Sequence, residues 1–171
     1  MYKSLLVLLS LSLLVDAKLI RDNKKEVVVD TNTNLMWQDN KDVLKVEKKW
    51  LSYKNNSKCK GINGEKKDEK KCFDTSGDTA DSYCKKLTLA GYKDWRLPTI
   101  KELLTIVDKN NDPTINSAFK NKPDIIFWFL WSISTNPQKK EDALVVDFDS
   151  GKVASFPKIY SEKIRCVRDN K

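Results

Sequence analysis

The sequence predicts an α+β domain, with two helices packed on antiparallel β-sheet, a long loop region and disulfide staples. Three observations predict it. Hairpin patterns stand near both ends of the chain, two segments between them carry helical periodicity, and four cysteines occur with no histidine among 171 residues. A single domain of this length buries roughly 70% of its unfolded surface, so it folds without needing a metal or a partner.

Taken in order, Met1 to Ala17 reads as a signal peptide: Lys3 is the positive start, Leu5 to Val15 the apolar run, and Val15 and Ala17 stand at minus three and minus one of a cut after Ala17. The run is too short to span a bilayer, no Cys stands at the cut to take a lipid, and nothing from Lys18 onward looks transmembrane. The predicted organisation is a leader over 1–17, an N-terminal extension over 18–26, the domain over 27–168 and a tail over 169–171.

The domain opens on a hairpin, with strands Glu26 to Asp30 and Leu35 to Gln38 around the turn Thr31-Asn32-Thr33-Asn34. Residues 39 to 75 are polar and Lys-rich and read as an irregular excursion with a brief ordered piece around Trp50 to Tyr53. Ala80, Tyr83, Cys84 and Leu87 then recur at one helical face, predicting a helix over 78–87 capped by Ser76 or Asp78. Thr99-Ile100-Lys101-Glu102 is a capping box that opens a second helix with Ile100, Leu103, Leu104 and Val107 inward.

Residues 108 to 124 form a polar connection with Pro113 and Pro123 and a short turn at Ile115 to Phe119, before the apolar strand Ile125 to Ile133 and a loop from Ser134 to Asp142. A second hairpin follows, Ala143 to Phe148 and Val153 to Phe156 around Asp149-Ser150-Gly151-Lys152. Ile164 to Arg168 is predicted as the last, alternating strand.

An exported chain with four cysteines is expected to form two disulfides. Cys59 and Cys72 bracket a polar loop that makes no core of its own, so they pair; Cys84 on the first helix is left for Cys166 in the last strand. A four-cysteine zinc site is excluded because no Cys-x-x-Cys occurs. The absence of His removes imidazole as base, proton shuttle and metal ligand, and with it most hydrolase chemistry.

The chain carries 32 basic against 24 acidic residues, a net +8, and only Arg21, Arg96, Arg165 and Arg168 are arginine. Lysines 66, 67, 70 and 71 form one cluster and Lys139 and Lys140 a second, in positions to attract sulfates, phosphates or uronates. Trp128 and Trp131 are candidates for stacking on sugar rings, with at most one of them exposed if the strand is core. Asp108 to Asp112, and Asp30, Asn32 and Asn34, alternate oxygen ligands as calcium sites do, but Pro113 and Phe119 stand where an EF-hand needs Gly and Glu, so no metal or cofactor is expected. Asp147 and Asp149, a conceivable glycosidase pair by type, have the spacing of an ordinary hairpin turn.

The run Asp94-Trp95-Arg96-Leu97-Pro98-Thr99-Ile100-Lys101-Glu102-Leu103-Leu104, with Leu87 to Tyr92 before it, closely resembles the signature of the Lcl C-terminal domain family. Thr33 to Asp39, Tyr83-Cys84, Trp131-Ser132 and Arg165-Cys166-Val167-Arg168 match further landmarks in the right order, so that the resemblance covers roughly 27 to 168.

It implies a C-type-lectin-like fold, extracytoplasmic binding or adhesion, sulfated polysaccharides as ligands in the namesake adhesin, and no established catalytic site. The related formylglycine-generating enzymes use Cys pairs, but all four cysteines here have structural partners to hand, and no enzyme is expected. Trp95, Arg96, Pro98, Thr99 and Glu102 read as a structural motif, with Trp95 in the core and Arg96 bonded to Glu102 or buried carbonyls.

The chain departs from the family pattern where Ile133 interrupts Trp131-Ser132-Ile133-Ser134, and no collagen-like stalk precedes the domain, which counts against trimeric, multivalent adhesion and leaves oligomeric state open. The expected protein is a periplasmic or surface-associated binding domain for an anionic glycan or an envelope protein. It is expected not to bind nucleic acid or to insert stably in the membrane once the leader is removed. A structural or protein-interaction module of the envelope is the alternative.

Overall fold

The computed structural model describes residues 18–122 and 128–171; the predicted leader and the start of the predicted apolar strand, 125–127, lie outside the described residues. Among the described residues, two sheets and three short α-helices form the domain. Strands β1 (Leu19–Asp22), β2 (Val27–Asp30) and β3 (Leu35–Gln38) lie in the first sheet, and β4 (Glu47–Lys49), β5 (Phe129–Thr135), β6 (Asp142–Asp147), β7 (Lys152–Pro157) and β8 (Ser161–Lys163) form the second. The final strand β9 (Val167–Asp169) returns to the first sheet, giving the orders β1-β2-β3-β9 and β4-β8-β5-β6-β7. Neighbours pair antiparallel except β5 and β8, which meet in parallel at Leu130 and Lys163.

Both predicted hairpins are present; in the second the turn lies one residue earlier than predicted, with Asp147 paired to Lys152 and Phe148 in the turn. Val28 faces Trp37 across the first, and Val145 faces Ala154 across the second. The extension 18–26 is ordered as well: its residues Leu19–Asp22 make an edge strand, whose mixed LIRD sequence carries too little alternation to be read as one.

Within the excursion 39–75 stand β4 and a complete helix, α1 (Tyr53–Lys60). The sequence signal was silent because α1 turns a polar face inward, burying Asn55, Asn56, Ser57 and Cys59. Local chemistry substitutes for an apolar stripe. Ser52 caps the start by accepting from the Asn55 amide, the Asn55 Nδ2 amide donates to the Asp74 carbonyl at 2.7 Å, and Gly61 closes the end at φ 67°. A Cβ on Gly61 would lie 2.9 Å from that of Lys67, because the following loop folds back over the helix end.

Helix α2 (Ala80–Lys86) begins later than predicted and its cap is Thr79, which forms a capping box with Ser82 rather than leaving the role to Ser76 or Asp78. Helix α3 (Ile100–Thr105) has the predicted Thr99–Glu102 box. Its inward set differs: Leu103 is buried but Leu104 is 41% exposed, and Ile106, just beyond the helix, takes the buried position instead. The helix ends at Thr105, two residues short of Val107, so that the chain leaves the helical register between Leu104 and Val107.

Arg96 meets Glu102 through two hydrogen bonds of 2.9 and 2.6 Å, while its backbone pairs with Val167 of β9. Arg96→Ala is therefore expected to lower stability by about 1–2 kcal/mol, read as a lower denaturation midpoint. A variant that melts with the parent protein would show that the fork is not stabilising.

Of the predicted strand Ile164 to Arg168, Val167 and Arg168 belong to β9, while Ile164 to Cys166 is a crossing. Ile164, Arg165, Cys166 and Val167 are all buried in succession, since the chain passes from β8 in one sheet to β9 in the other and has protein on every side. Two cores result. One gathers Trp50, Leu51, Trp95, Leu97 and Trp131 around both disulfides, and the other gathers Val28, Trp37, Leu103, Ile106, Phe119 and Trp128 under the first sheet. The disulfides are Cys59–Cys72 and Cys84–Cys166, as the spacing predicted.

All four arginines hold the fold: Arg21 and Arg165 pair with Asp39, Arg96 with Glu102, and Arg168 with Asp94. Arg168 also lies 3.7 Å over the Tyr92 ring. Planar guanidinium forks suit such fixed pairings.

Candidate ligand face

The two predicted lysine clusters are brought together. The Lys140 ammonium reaches the Glu69 carboxylate at 2.7 Å, and Lys67 lies 3.9 Å from Glu141, so the loop after α1 and the β5–β6 loop form one surface. Glu69 is held below its usual carboxylate range, and Lys140 above its usual ammonium range, each by its hydrogen bond and charge contact with the other.

Pairing leaves the lysines unequal. Lys71 is engaged by Asp74 at 2.6 Å and Lys139 by Asp142 at 2.9 Å. Lys66 and Lys70 are exposed and meet no carboxylate among the described residues. A cleft of about 390 Å³ opens between Lys58 on α1 and the loop residues Glu65 to Asp68, with Lys66 and Lys67 on its rim.

Lys158 anchors this surface from beneath. It is fully buried, and its three ammonium protons match three acceptors: the Cys72 carbonyl at 2.6 Å, the Lys140 carbonyl at 2.7 Å and the Thr135 hydroxyl at 2.9 Å. The rings of Trp50 and Phe73 lie 4.1 and 4.9 Å from the same nitrogen. Burial pushes this ammonium down to about 8, against the pull of Glu141 and Asp142. One side chain thus ties the disulfide-bounded loop to the β5–β6 loop. Nothing in the sequence distinguished Lys158 from the 27 other lysines.

The predicted aromatic platform is corrected. Trp128 and Trp131 are both fully buried, Trp128 against Phe148 at 4.9 Å and Trp131 with its Nε1 donating to the Lys48 carbonyl at 2.9 Å. Neither is available to a sugar, because Trp128 lies in the core under the first sheet and Trp131 in the core around the disulfides. The exposed aromatic side chains among the described residues are Tyr53, Phe73 and Tyr160, which surround the Lys158 turn and the start of α1. Hydrophobic patterning does not select them, since each sits in a polar stretch.

The acidic alternations are turns. Asp108 accepts from the Asn110 amide and from the Asn111 side chain, and Asp30 from the amides of Asn32 and Thr33. Asp147 likewise accepts from the Asp149 amide and the Ser150 hydroxyl, which spends the carboxylate on the hairpin. Among the described residues no three acidic, His or Cys side chains converge as a metal site.

Glu162, half-buried on β8, is the carboxylate that stands apart. Burial, with Glu47 nearby, pushes it up to about 7 from an ordinary 4.5. Between those values the folded chain holds a proton that the unfolded chain releases. The resulting stabilisation is complete below pH 4.5 and lost as pH rises through 7. With allowance for the water that still reaches the side chain, the effect is about 1–2 kcal/mol. Glu162→Gln should flatten the melting temperature between pH 4.5 and 7.5 and raise it at the alkaline end; an unchanged slope would remove Glu162 from this role.

Residues 26–168 match the family model described as the Lcl C-terminal domain. No curated protein and no solved structure matches the chain.

Proposed function

The chain belongs to the Lcl C-terminal domain family, and from that premise we propose that it is an exported, non-catalytic binding module of C-type-lectin-like type whose ligand is an anionic glycan, sulfated or uronate-bearing. The observation that carries this reading is the joined lysine surface. Lys66 and Lys70 carry charge that no carboxylate of the described chain neutralises, on a loop braced by Cys59–Cys72, by Lys158 and by the Lys140–Glu69 pair. A braced loop loses little freedom on binding, which favours affinity for a polyanion. The two disulfides fit an oxidising compartment, and among the described residues no helix is long and apolar enough to cross a membrane.

Heparin binding by the full chain tests the reading. Affinity is expected to fall steeply with added salt, and Lys66→Glu with Lys70→Glu is expected to weaken it by roughly tenfold or more while leaving the melting temperature unchanged. Equal binding by parent and double variant would sink the lysine surface as the site.

A second reading, an envelope interaction module, is favoured by one observation. Ile20 is 49% exposed on the edge strand β1, beside a shallow groove that includes Val29. A protein partner retained by Ile20→Lys protein would count against that surface.

A further inference from the structure

We propose that Tyr53 is the stacking platform of a saccharide subsite in the cleft between α1 and the edge strand β4, with Lys49 receiving the sugar's acidic group and Ser161 its hydroxyls. The inference rests on the anionic-glycan reading and gives the ligand a second point of attachment, away from the Lys66 rim.

Tyr53 is 63% exposed although it opens a helix whose next buried residues pack firmly. Its hydroxyl accepts from the Asn63 side chain at 3.0 Å, which holds the ring in place and links it to the turn that leads into Lys66. An aromatic ring already fixed and already in water offers an apolar face to the C–H side of a pyranose at small entropic cost.

The cleft beside it, about 330 Å³, is otherwise polar. Lys49 and Ser161 face each other across the β4–β8 ladder and so project to the same side of the sheet, and both line the cleft with Tyr53. The other charges there are already matched, Lys48 with Asp78 at 2.6 Å and Glu47 with Lys163 at 2.9 Å. Lys49 has no carboxylate partner among the described residues. One exposed aromatic ring, one ammonium without a carboxylate partner and one hydroxyl therefore line the same cleft.

The wall is built by close approach. Gly77, at φ 96°, brings the loop before α2 against the α1 cap, where a Cβ would stand 3.2 Å from that of Ser52. Asp78, the next residue, is thereby placed to take Lys48 out of play. The distribution of aromatics points the same way: all five Trp are buried, so the stacking surface of the described chain is confined to Tyr53, Phe73 and Tyr160, and Tyr160 immediately precedes Ser161.

The experiment is calorimetric titration of the full chain with a heparin-derived hexasaccharide at two salt concentrations, with Tyr53→Leu, Tyr53→Phe, Lys49→Gln and the Lys66/Lys70 charge reversal, each first shown to melt like the parent. Tyr53→Leu is expected to weaken binding about tenfold without changing its salt dependence, and Tyr53→Phe to retain most of the affinity. Lys49→Gln is expected to weaken binding and make it less salt-sensitive.

If the charge reversal weakens binding but Tyr53→Leu does not, the subsite is overturned and the anionic-glycan reading stands. If the parent chain does not bind the hexasaccharide at either salt concentration, both are overturned. If Tyr53→Leu and Tyr53→Phe weaken binding equally, the ring is not the platform and the proposal falls.

Discussion

Asp39→Ala is expected to cost about 3–5 kcal/mol, enough to leave a domain of this size marginal. Asp39 is wholly buried just beyond β3, and each of its oxygens is committed. One carboxylate oxygen accepts from Arg165 at 2.9 Å and from the Asn121 amide at 3.1 Å, and the other accepts from Arg21 at 2.5 Å and the Lys120 amide at 3.0 Å. Arg165 is buried with it, donating also to the carbonyls of Gln38 and Asn121 at 2.6 Å, its charge lying 4.6 Å from the Phe119 ring.

Burial pushes the Arg165 guanidinium below its usual value, while Asp39 opposes that shift. Removing Asp39 therefore strands a charge that remains positive at ordinary pH in an apolar site. Urea unfolding of Asp39→Ala measures the loss. Asp39→Asn, which keeps the shape and not the charge, separates ion pairing from geometry. A loss below about 1 kcal/mol in Asp39→Ala would mean that water or a neighbouring group replaces the carboxylate, and that the pair is ornamental to the fold.

Cys84→Ala with Cys166→Ala is the second large effect, about 4 kcal/mol by chain entropy alone, because the crosslink joins positions 82 residues apart. The bond is also a packing element: both cysteines are fully buried, and Cys166 is the midpoint of the crossing from one sheet to the other. The matching Cys59→Ala with Cys72→Ala variant removes a 13-residue link, worth about 3 kcal/mol in the same model, and its disturbance should centre on the loop that carries Lys66 and Lys70. The two variants should therefore separate: the first lowers global stability most, the second weakens polyanion binding most. Equal losses of stability and binding in both would mean that the loop is not an independent unit.

The contrast between what the residues announced and what they hid has a physical basis. The hairpins and the α3 capping box were legible because turn residues and reciprocal Thr–Glu bonding are local chemistry. The disulfides were legible because a polar loop has few other ways to be anchored. Helix α1 was hidden because its packing face is Asn55, Asn56 and Ser57, of which Asn55 is bonded to Asp74 and Ser76, and no apolar stripe marks it.

Lys158 and Arg165 were hidden for a related reason: a buried charge looks like a surface charge until its acceptors are placed around it. The lysine clusters were visible one at a time, and their union was not, since Lys140 and Glu69 meet across 71 positions of sequence. Trp128 and Trp131 are no sugar platform because aromatic residues in an apolar run are recruited by the core, and Tyr53, among polar neighbours, carries no such pattern.

The buried link at Cys166 also decides how the domain bears mechanical load. Tension applied at the chain's last strand reaches β9 first, which is held to β3 by a short ladder at Leu35, Met36 and Trp37. Peeling that strand extends the chain only as far back as Cys166, where the covalent bond to Cys84 diverts the pull into α2 and the larger core. The residues upstream of Cys166 are shielded, and with them the Lys158 clamp and the lysine surface it supports. A domain pulled from this end would lose a few residues of edge and keep its grip.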